Sequence, residues 1–149
     1  MCCRSESGAP NKSEDAAGYW GSLGSCDIPV HTADQTFKWI YDNLMDDFDF
    51  IVFTGDMTAH DIWNQSQESN LSAAKVVFDL LEKYFSTKPL YYGMGNHETN
   101  PIEQFDFYDK GAEDWMYNNY SYFMKDWITG EGYKEMKEKL SYSTVIPEK

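Results

Sequence analysis

The chain has 149 residues and a formal net charge of −13, and its 42% hydrophobic and 17% aromatic content favours a folded unit over disorder. The acidic charge would repel phosphate backbones and anionic lipid surfaces, so neither nucleic-acid binding nor a polybasic membrane anchor is expected. No apolar run approaches the roughly 20 residues that cross a bilayer, and residues 1–4 lack the apolar stretch of a signal peptide. If the protein is exported, its signal is therefore expected upstream of this sequence.

The cysteines and glycosylation sequons indicate an oxidising compartment. Adjacent Cys2 and Cys3 are poorly placed to pair with each other, so the simplest disulfide joins Cys3 to Cys26 and leaves Cys2 for a partner outside this chain. The alternative is three free thiols in a cytosolic protein. Four Asn-x-Ser sequons favour the disulfide and predict an N-glycosylated protein of the secretory route. These sequons begin at Asn11, Asn64, Asn70 and Asn119.

Residues 1–31 are rich in Gly and Pro without a sustained period, which predicts a loop segment tied by the disulfide. Thr32 and Gln35 form a capping-box pattern and predict a helix over about 32–46. Its apolar stripe consists of Ala33, Phe37, Ile40 and Leu44. His31 matches no motif and is expected to be exposed. The β-rich run 48–54 then predicts a buried strand that ends at Gly55.

A helical apolar face predicts a crossover helix from about Glu68 to Phe85, followed by a second strand over 89–94. The face consists of Leu71, Ala74, Phe78, Leu81 and Phe85. Right-handed crossover geometry would make the two strands parallel. Another helix is predicted over about 112–128, whereas 131–149 shows alternating charge and no motif. The fold class is therefore α/β, with one βαβ unit and flanking helices in a partial domain over 32–130 and a C-terminal segment of the same domain over 131–149.

Two motifs follow the predicted strands, Thr54-Gly55-Asp56 and Gly95-Asn96-His97-Glu98. Parallel strands that end at one sheet edge would place the two motifs side by side. A carboxylate at Asp56 could bridge two cations, Asn96 offers an amide oxygen, and His97 could face a substrate. Gly-Asp alone is also typical of a turn, whereas the second motif is more specific. His60, four residues after Asp56, lies on a loop that could curl back over the site.

In this context the motifs resemble the calcineurin-like metallophosphoesterases, and within them the acid sphingomyelinase branch. The similarity covers about residues 2–127. It rests on both motifs and on Cys2-Cys3-Arg4, Ala17-Gly18-Tyr19-Trp20-Gly21, Cys26-Asp27-Ile28-Pro29, Phe48-Asp49-Phe50, Ala59-His60-Asp61-Ile62-Trp63-Asn64-Gln65 and Pro101.

The resemblance implies part of a four-layer α-β-β-α metallophosphoesterase sandwich. It also implies a site with two Zn²⁺ ions, in which Asp56 bridges both ions and Asn96 binds one. His60 and His97 would lie at the phosphate, and one or both would protonate the leaving alkoxide. In the family a metal-bound hydroxide attacks phosphorus, which for sphingomyelin releases ceramide and phosphocholine. The resemblance also matches Cys3 and Cys26 to a disulfide.

The family's other ligand motifs and its saposin-like domain would lie outside this chain. The chain alone is therefore expected to bind zinc weakly and to be inactive or nearly so, with membrane contact only through a lipid substrate and regions outside. Two alternatives stay open: a sphingomyelinase-like nucleotide phosphodiesterase, and a non-catalytic truncated secreted product. The acidic composition further predicts activity in an acidic compartment, because carboxylate protonation near about pH 4 to 5 relieves self-repulsion.

Overall fold

The computed structural model describes residues 10–22, 26–106, 108–109 and 111–146. The chain divides into two compact units, Met1–Met45 and Asp46–Lys149. Within the described residues the fold is mixed α/β, with four α-helices and a two-stranded parallel sheet. No helix in these ranges is long and apolar enough to cross a membrane.

The first unit contains helix α1, Val30–Leu44. The predicted capping box is wrong: the helix begins directly after Pro29, which has no side-chain cap, and Thr32 Oγ1 instead donates to the carbonyl of Trp20 at 3.0 Å. Proline ends an extended segment with a fixed φ, here −67°, so the next residue can start the helix. The predicted apolar stripe is half-buried.

Two further sequence predictions concern the first unit. Cys26 forms a disulfide, while Cys3, its predicted partner, lies outside the described residues. His31 was expected to be exposed, and this is wrong: its ring stacks on Tyr19 with centroids 4.2 Å apart, and the residue is half-buried. The aromatic neighbour explains the difference, because an imidazole face packs readily on another ring.

The second unit contains β1, Ile51–Phe53, and β2, Leu90–Tyr92. The strands are parallel, with Ile51 opposite Leu90, so the predicted pairing is confirmed. Both strands are shorter than the predicted runs 48–54 and 89–94, and the chain after β1 turns at Gly55, whose φ is +74°. The last bond between the two segments runs from Gly93 N to the Phe53 carbonyl at 2.9 Å.

Helix α2, Gln67–Phe85, connects the two strands as predicted. Ser66 caps it with a capping box to Ser69, each side chain bonding the backbone N–H of the other residue. Such a cap contributes about 1 kcal/mol. Four of the five predicted apolar residues are buried and Leu71 is half-buried. Asn70 is also buried, although its polarity gave no sign of this.

Helices α3, Asp114–Phe123, and α4, Gly130–Lys139, complete the unit. The α3 helix is shorter than the predicted span, because the chain turns at Met124, whose N–H bonds the carbonyls of Tyr120 and Tyr122. The α4 helix was not predicted. Its buried residues are only Gly132 and Met136. Because the rest of the segment is mostly polar and charged, its sequence has too little apolar periodicity to predict a helix.

An aromatic core joins β2 to α2 and α3. The Tyr92 ring stacks on Tyr120 with centroids 5.9 Å apart and packs edge-on against Phe78 at 5.3 Å. Phe78 in turn stacks on Phe123 at 5.0 Å. Each such pair is worth about 0.5–1.5 kcal/mol beyond the area it buries. This cluster holds the strand that leads into the second motif.

Candidate functional site at the sheet edge

The loop after β1 approaches the loop after β2 at backbone distance. A Cβ built on Gly55 would lie 2.5 Å from the nitrogen of Gly95, and one built on Gly95 would lie 2.5 Å from the nitrogen of Asp56. Gly55 and Asp56 both have positive φ, +74° and +70°. The first motif therefore needs glycine for both its conformation and its space.

The two predicted motifs share a hydrogen bond. The second motif forms a single 3-10 turn, Asn96–Glu98, and the backbone N–H of His97 donates to Asp56 Oδ1 at 3.2 Å. Asn96 Nδ2 donates to Glu103 Oε1 at 3.0 Å, so the amide oxygen is its atom suited to bind a cation. Asp56 and Asn96 are both exposed.

The two predicted catalytic histidines are neighbours. The rings of His60 and His97 lie with centroids 4.7 Å apart at an interplanar angle of 53°. His60 is exposed and His97 is half-buried. The Nδ1 atom of His97 is shielded from solvent and has no hydrogen-bond partner among the described residues. The loop after β1 therefore curls back over the second motif.

Glu98, to which the sequence assigned no role, is the most buried charged residue of the site. It is 0% exposed, and Oε1 accepts the N–H of Met57 at 2.7 Å. Oε2 lies in the space that a side chain at Gly55 or Gly95 would need. Burial raises the pKa of Glu98, backbone N–H groups oppose this shift, and Asp56 adds to it. The sequence did carry one signal for the role of Glu98: a carboxylate directly after His97, in a motif paired with a second glycine turn.

Glu98 lies near the buried hydroxyls of Tyr92 and Tyr120. Burial, with a contribution from the Glu98 charge, raises the pKa of both Tyr92 and Tyr120. The two hydroxyls and Glu98 Oε2 are buried without a hydrogen-bond partner in the described ranges. These phenols therefore stay neutral and deliver no charge to the site.

The first turn of α2 supports the second motif from below. Asn70 Nδ2 faces the carbonyls of His97, Glu98 and Thr99 at 3.5, 3.5 and 3.3 Å. Thr58 Oγ1 donates to the His97 carbonyl at 2.7 Å. Both Asn70 and Thr58 are buried. The position of His97 is thus determined by tertiary hydrogen bonds as well as by its own turn.

The donor chemistry of this edge fits part of a divalent-cation site. Asp56 supplies a carboxylate and Asn96 supplies an amide oxygen. Across the described ranges, no three His, Cys, Asp or Glu side chains are grouped as a metal site. A cavity of about 450 Å³ borders Asn96, with Glu103 and Phe105 among its lining residues.

Comparison with known proteins identifies relatives over most of the chain. A sphingomyelin phosphodiesterase of Bos taurus is 32% identical over 92% of this chain, and sphingomyelin phosphodiesterase B of Dictyostelium discoideum is 36% identical over 86%. An endopolyphosphatase of Saccharomyces cerevisiae is 33% identical over 61% of the chain. These alignments cover 22%, 20% and 13% of the respective relatives, so the chain spans about a fifth of the sphingomyelin phosphodiesterases.

The family-level match includes both motifs. The sequence profile of the family described as calcineurin-like phosphoesterase matches residues 28–145, which include β1, β2 and the loops that follow them. Membership of this metallophosphoesterase family implies dependence on a divalent metal. The chain belongs to the calcineurin-like phosphoesterase family.

Proposed function

We propose that this chain carries part of the two-metal site of a phosphodiesterase that hydrolyses sphingomyelin to ceramide and phosphocholine. The observation that carries the proposal is the hydrogen bond from His97 N–H to Asp56 Oδ1, because it joins the two motifs side by side. Family membership and the names of the relatives support the reaction class.

Two zinc ions are the proposed cofactor, and when bound they would activate water and stabilise charge on the phosphate. Asp56 would bridge the ions, and Asn96 would hold one of them through its amide oxygen. Glu103 supports this role because it binds the amide nitrogen and so fixes which atom faces the cation.

One or both of the histidines would donate the proton that the leaving group takes up. As water adds to phosphorus and the bond to the lipid oxygen breaks, a protonated imidazole would give that oxygen its proton. His60 and His97 are both candidates, because their rings lie together beside the proposed metal ligands. The cavity next to Asn96 would give the organic part of the diester room.

The remaining ligands are proposed to come from parts of the protein outside this chain. The described residues supply a donor set for part of a site, and the chain spans about a fifth of its sphingomyelin phosphodiesterase relatives. The chain alone would then bind zinc weakly and turn over poorly. Its disulfide at Cys26 supports an extracellular or lysosomal location.

The decisive experiment assays the product of the full transcript on sphingomyelin, a nucleotide diester and polyphosphate with added zinc. We expect phosphocholine release, lowered at least about 100-fold by Asp56→Asn, since a metal ion contributes several kcal/mol of transition-state stabilisation. Asp79→Asn is the matched control, because Asp79 is an exposed carboxylate paired with Lys75 on α2. Preference for the nucleotide or for polyphosphate would replace sphingomyelin as the substrate. Genuine start and stop sites at both ends of this chain, without turnover, would favour the non-catalytic alternative.

A zinc titration of this chain alone tests the ligand assignment separately. Calorimetry should detect weak binding that Asp56→Asn abolishes and Asp79→Asn retains. Equal heats for the two variants would show that Asp56 is not a ligand.

A further inference from the structure

Two sequons lie six positions apart in the segment that connects β1 to β2, and their asparagines have very different environments. Asn64-Gln65-Ser66 ends a 3-10 turn, Ile62–Asn64, and Asn70-Leu71-Ser72 lies in the first turns of α2. Because they are so close in sequence, both would pass any modifying enzyme at nearly the same moment of synthesis. A difference between the two sites in the folded, secreted chain would therefore reflect which site the fold can accommodate a glycan at.

Asn70 cannot carry a sugar in this fold. Its side chain is 1% exposed, and Nδ2, the atom that N-glycosylation modifies, faces three backbone carbonyls of the 97–99 turn. A glycan on this nitrogen would replace one N–H and would place a sugar ring between α2 and the second motif. The three buried carbonyls would then share one remaining N–H in place of two.

Asn64 presents the opposite environment. The residue is exposed, and its Nδ2 has only a 3.5 Å contact with Asp61 Oδ2, at the limit of a hydrogen bond. The chain after it is extended at Gln65, with φ −88° and ψ 151°, so the sequon runs from the last residue of the 3-10 turn to the N-cap of α2. Ser66, the third residue of the sequon, is also exposed.

The surface around Asn64 favours a sugar. Its neighbours Ile62 and Trp63 are 50% and 71% exposed. A hydrophilic glycan attached at the next residue would shield both from intermolecular contact.

We propose that Asn64 is an N-glycosylation site of this protein and that the folded, secreted chain carries no glycan at Asn70, because a glycan there is incompatible with the burial of its side-chain amide against the second motif. In the reaction, Asn64 Nδ2 forms a bond to the anomeric carbon of a lipid-linked oligosaccharide. The bond from that carbon to the lipid pyrophosphate breaks, and the amide loses one proton. The proposal rests on the proposed secretory route and is independent of the proposed phosphodiesterase reaction, because its readout is mass.

The test is to secrete the full chain from eukaryotic cells behind a heterologous leader and to map the sites. Enzymatic deglycosylation in heavy-oxygen water marks each formerly glycosylated asparagine as a labelled aspartate. We expect the label at Asn64 and none at Asn70 in the soluble, secreted chain. Absence of label at Asn64, or label at Asn70 in that fraction, would overturn the proposal.

Two variants make the result independent of folding yield. Asn64→Gln should lose one glycan from the secreted chain. Ser72→Ala destroys the second sequon at an exposed position without altering the Asn70 side chain, so it should leave the glycan mass unchanged. A lower glycan mass in Ser72→Ala would show that Asn70 had been modified and would refute the assignment.

Discussion

The close approach of the two motif loops makes Gly55→Ala the most informative single substitution in the chain. The added Cβ would lie 2.5 Å from Gly95 N and 2.9 Å from the Gly93 carbonyl oxygen, both backbone atoms that cannot rotate away. The residue would also keep a φ of +74°, which L-residues other than glycine tolerate poorly.

The expected loss of unfolding free energy has two causes, the steric overlap of the added Cβ and the positive φ. Substitutions at three other glycines measure the two causes separately. Gly130 has a φ of +62° and open space, so Gly130→Ala should cost about 1–2 kcal/mol of unfolding free energy for conformation alone. Gly95 has a φ of −81°, and a Cβ added there would lie 2.5 Å from Asp56 N. Gly95→Ala should therefore cost about 1–3 kcal/mol for steric overlap alone. Gly93 has neither problem and should change by less than about 1 kcal/mol. Gly55→Ala combines both effects, and we expect about 2–5 kcal/mol.

Urea unfolding of the four variants, followed by far-ultraviolet circular dichroism, measures these free energies. The expected order of destabilisation is Gly55 first, then Gly95 and Gly130, and Gly93 last. If Gly55→Ala costs no more than Gly130→Ala, the two loops are not in backbone contact, and the argument that the sheet edge joins Asp56 to the second motif fails.

Three further predictions concern the supporting contacts and the histidines. Asn70→Ala should lower the unfolding free energy by about 1–3 kcal/mol, because it leaves the carbonyls of residues 97–99 without a donor; a change below about 0.5 kcal/mol in urea unfolding would contradict this. In the full enzyme, His60→Ala and His97→Ala should be assayed with good and poor leaving groups, and the histidine that acts as general acid should show its loss mainly with the poor one; equal losses for both substrates would remove the proton-donor role. The N–H and hydroxyl of Ser143 lower the pKa of Glu135 from its ordinary 4.5, so this pair stabilises the fold above about pH 4.5, and the contribution is lost as pH falls through the depressed pKa. Ser143→Ala removes only the hydroxyl, so carbon NMR titration should show the Glu135 midpoint rising part of the way toward its ordinary value, and an unchanged midpoint would show that the hydroxyl bond contributes nothing.

Regular periodicity explains why the βαβ core was predictable. Phe78, Leu81 and Phe85 repeat at helical spacing, and short apolar runs flank them, so the strand–helix–strand order and the parallel pairing follow from local pattern and the handedness of crossovers. The α4 helix lacked such a pattern, and the start of α1 depended on Pro29 rather than on the capping-box residues. Both differences arise where one proline or two buried contacts outweigh the average composition of the segment.

The same distinction between local sequence pattern and tertiary contacts applies to the candidate site. The sequence by itself determined the two motifs, their positions after parallel strands, and the residue types Asp56, His60, Asn96 and His97. Only the tertiary structure decided the supporting residues: Glu98 is buried between two glycines, and Asn70 faces three carbonyls 27 to 29 residues away. The physical reason is that a motif records which groups the chain carries, whereas the burial of a polar side chain depends on which distant backbone groups the fold brings to it.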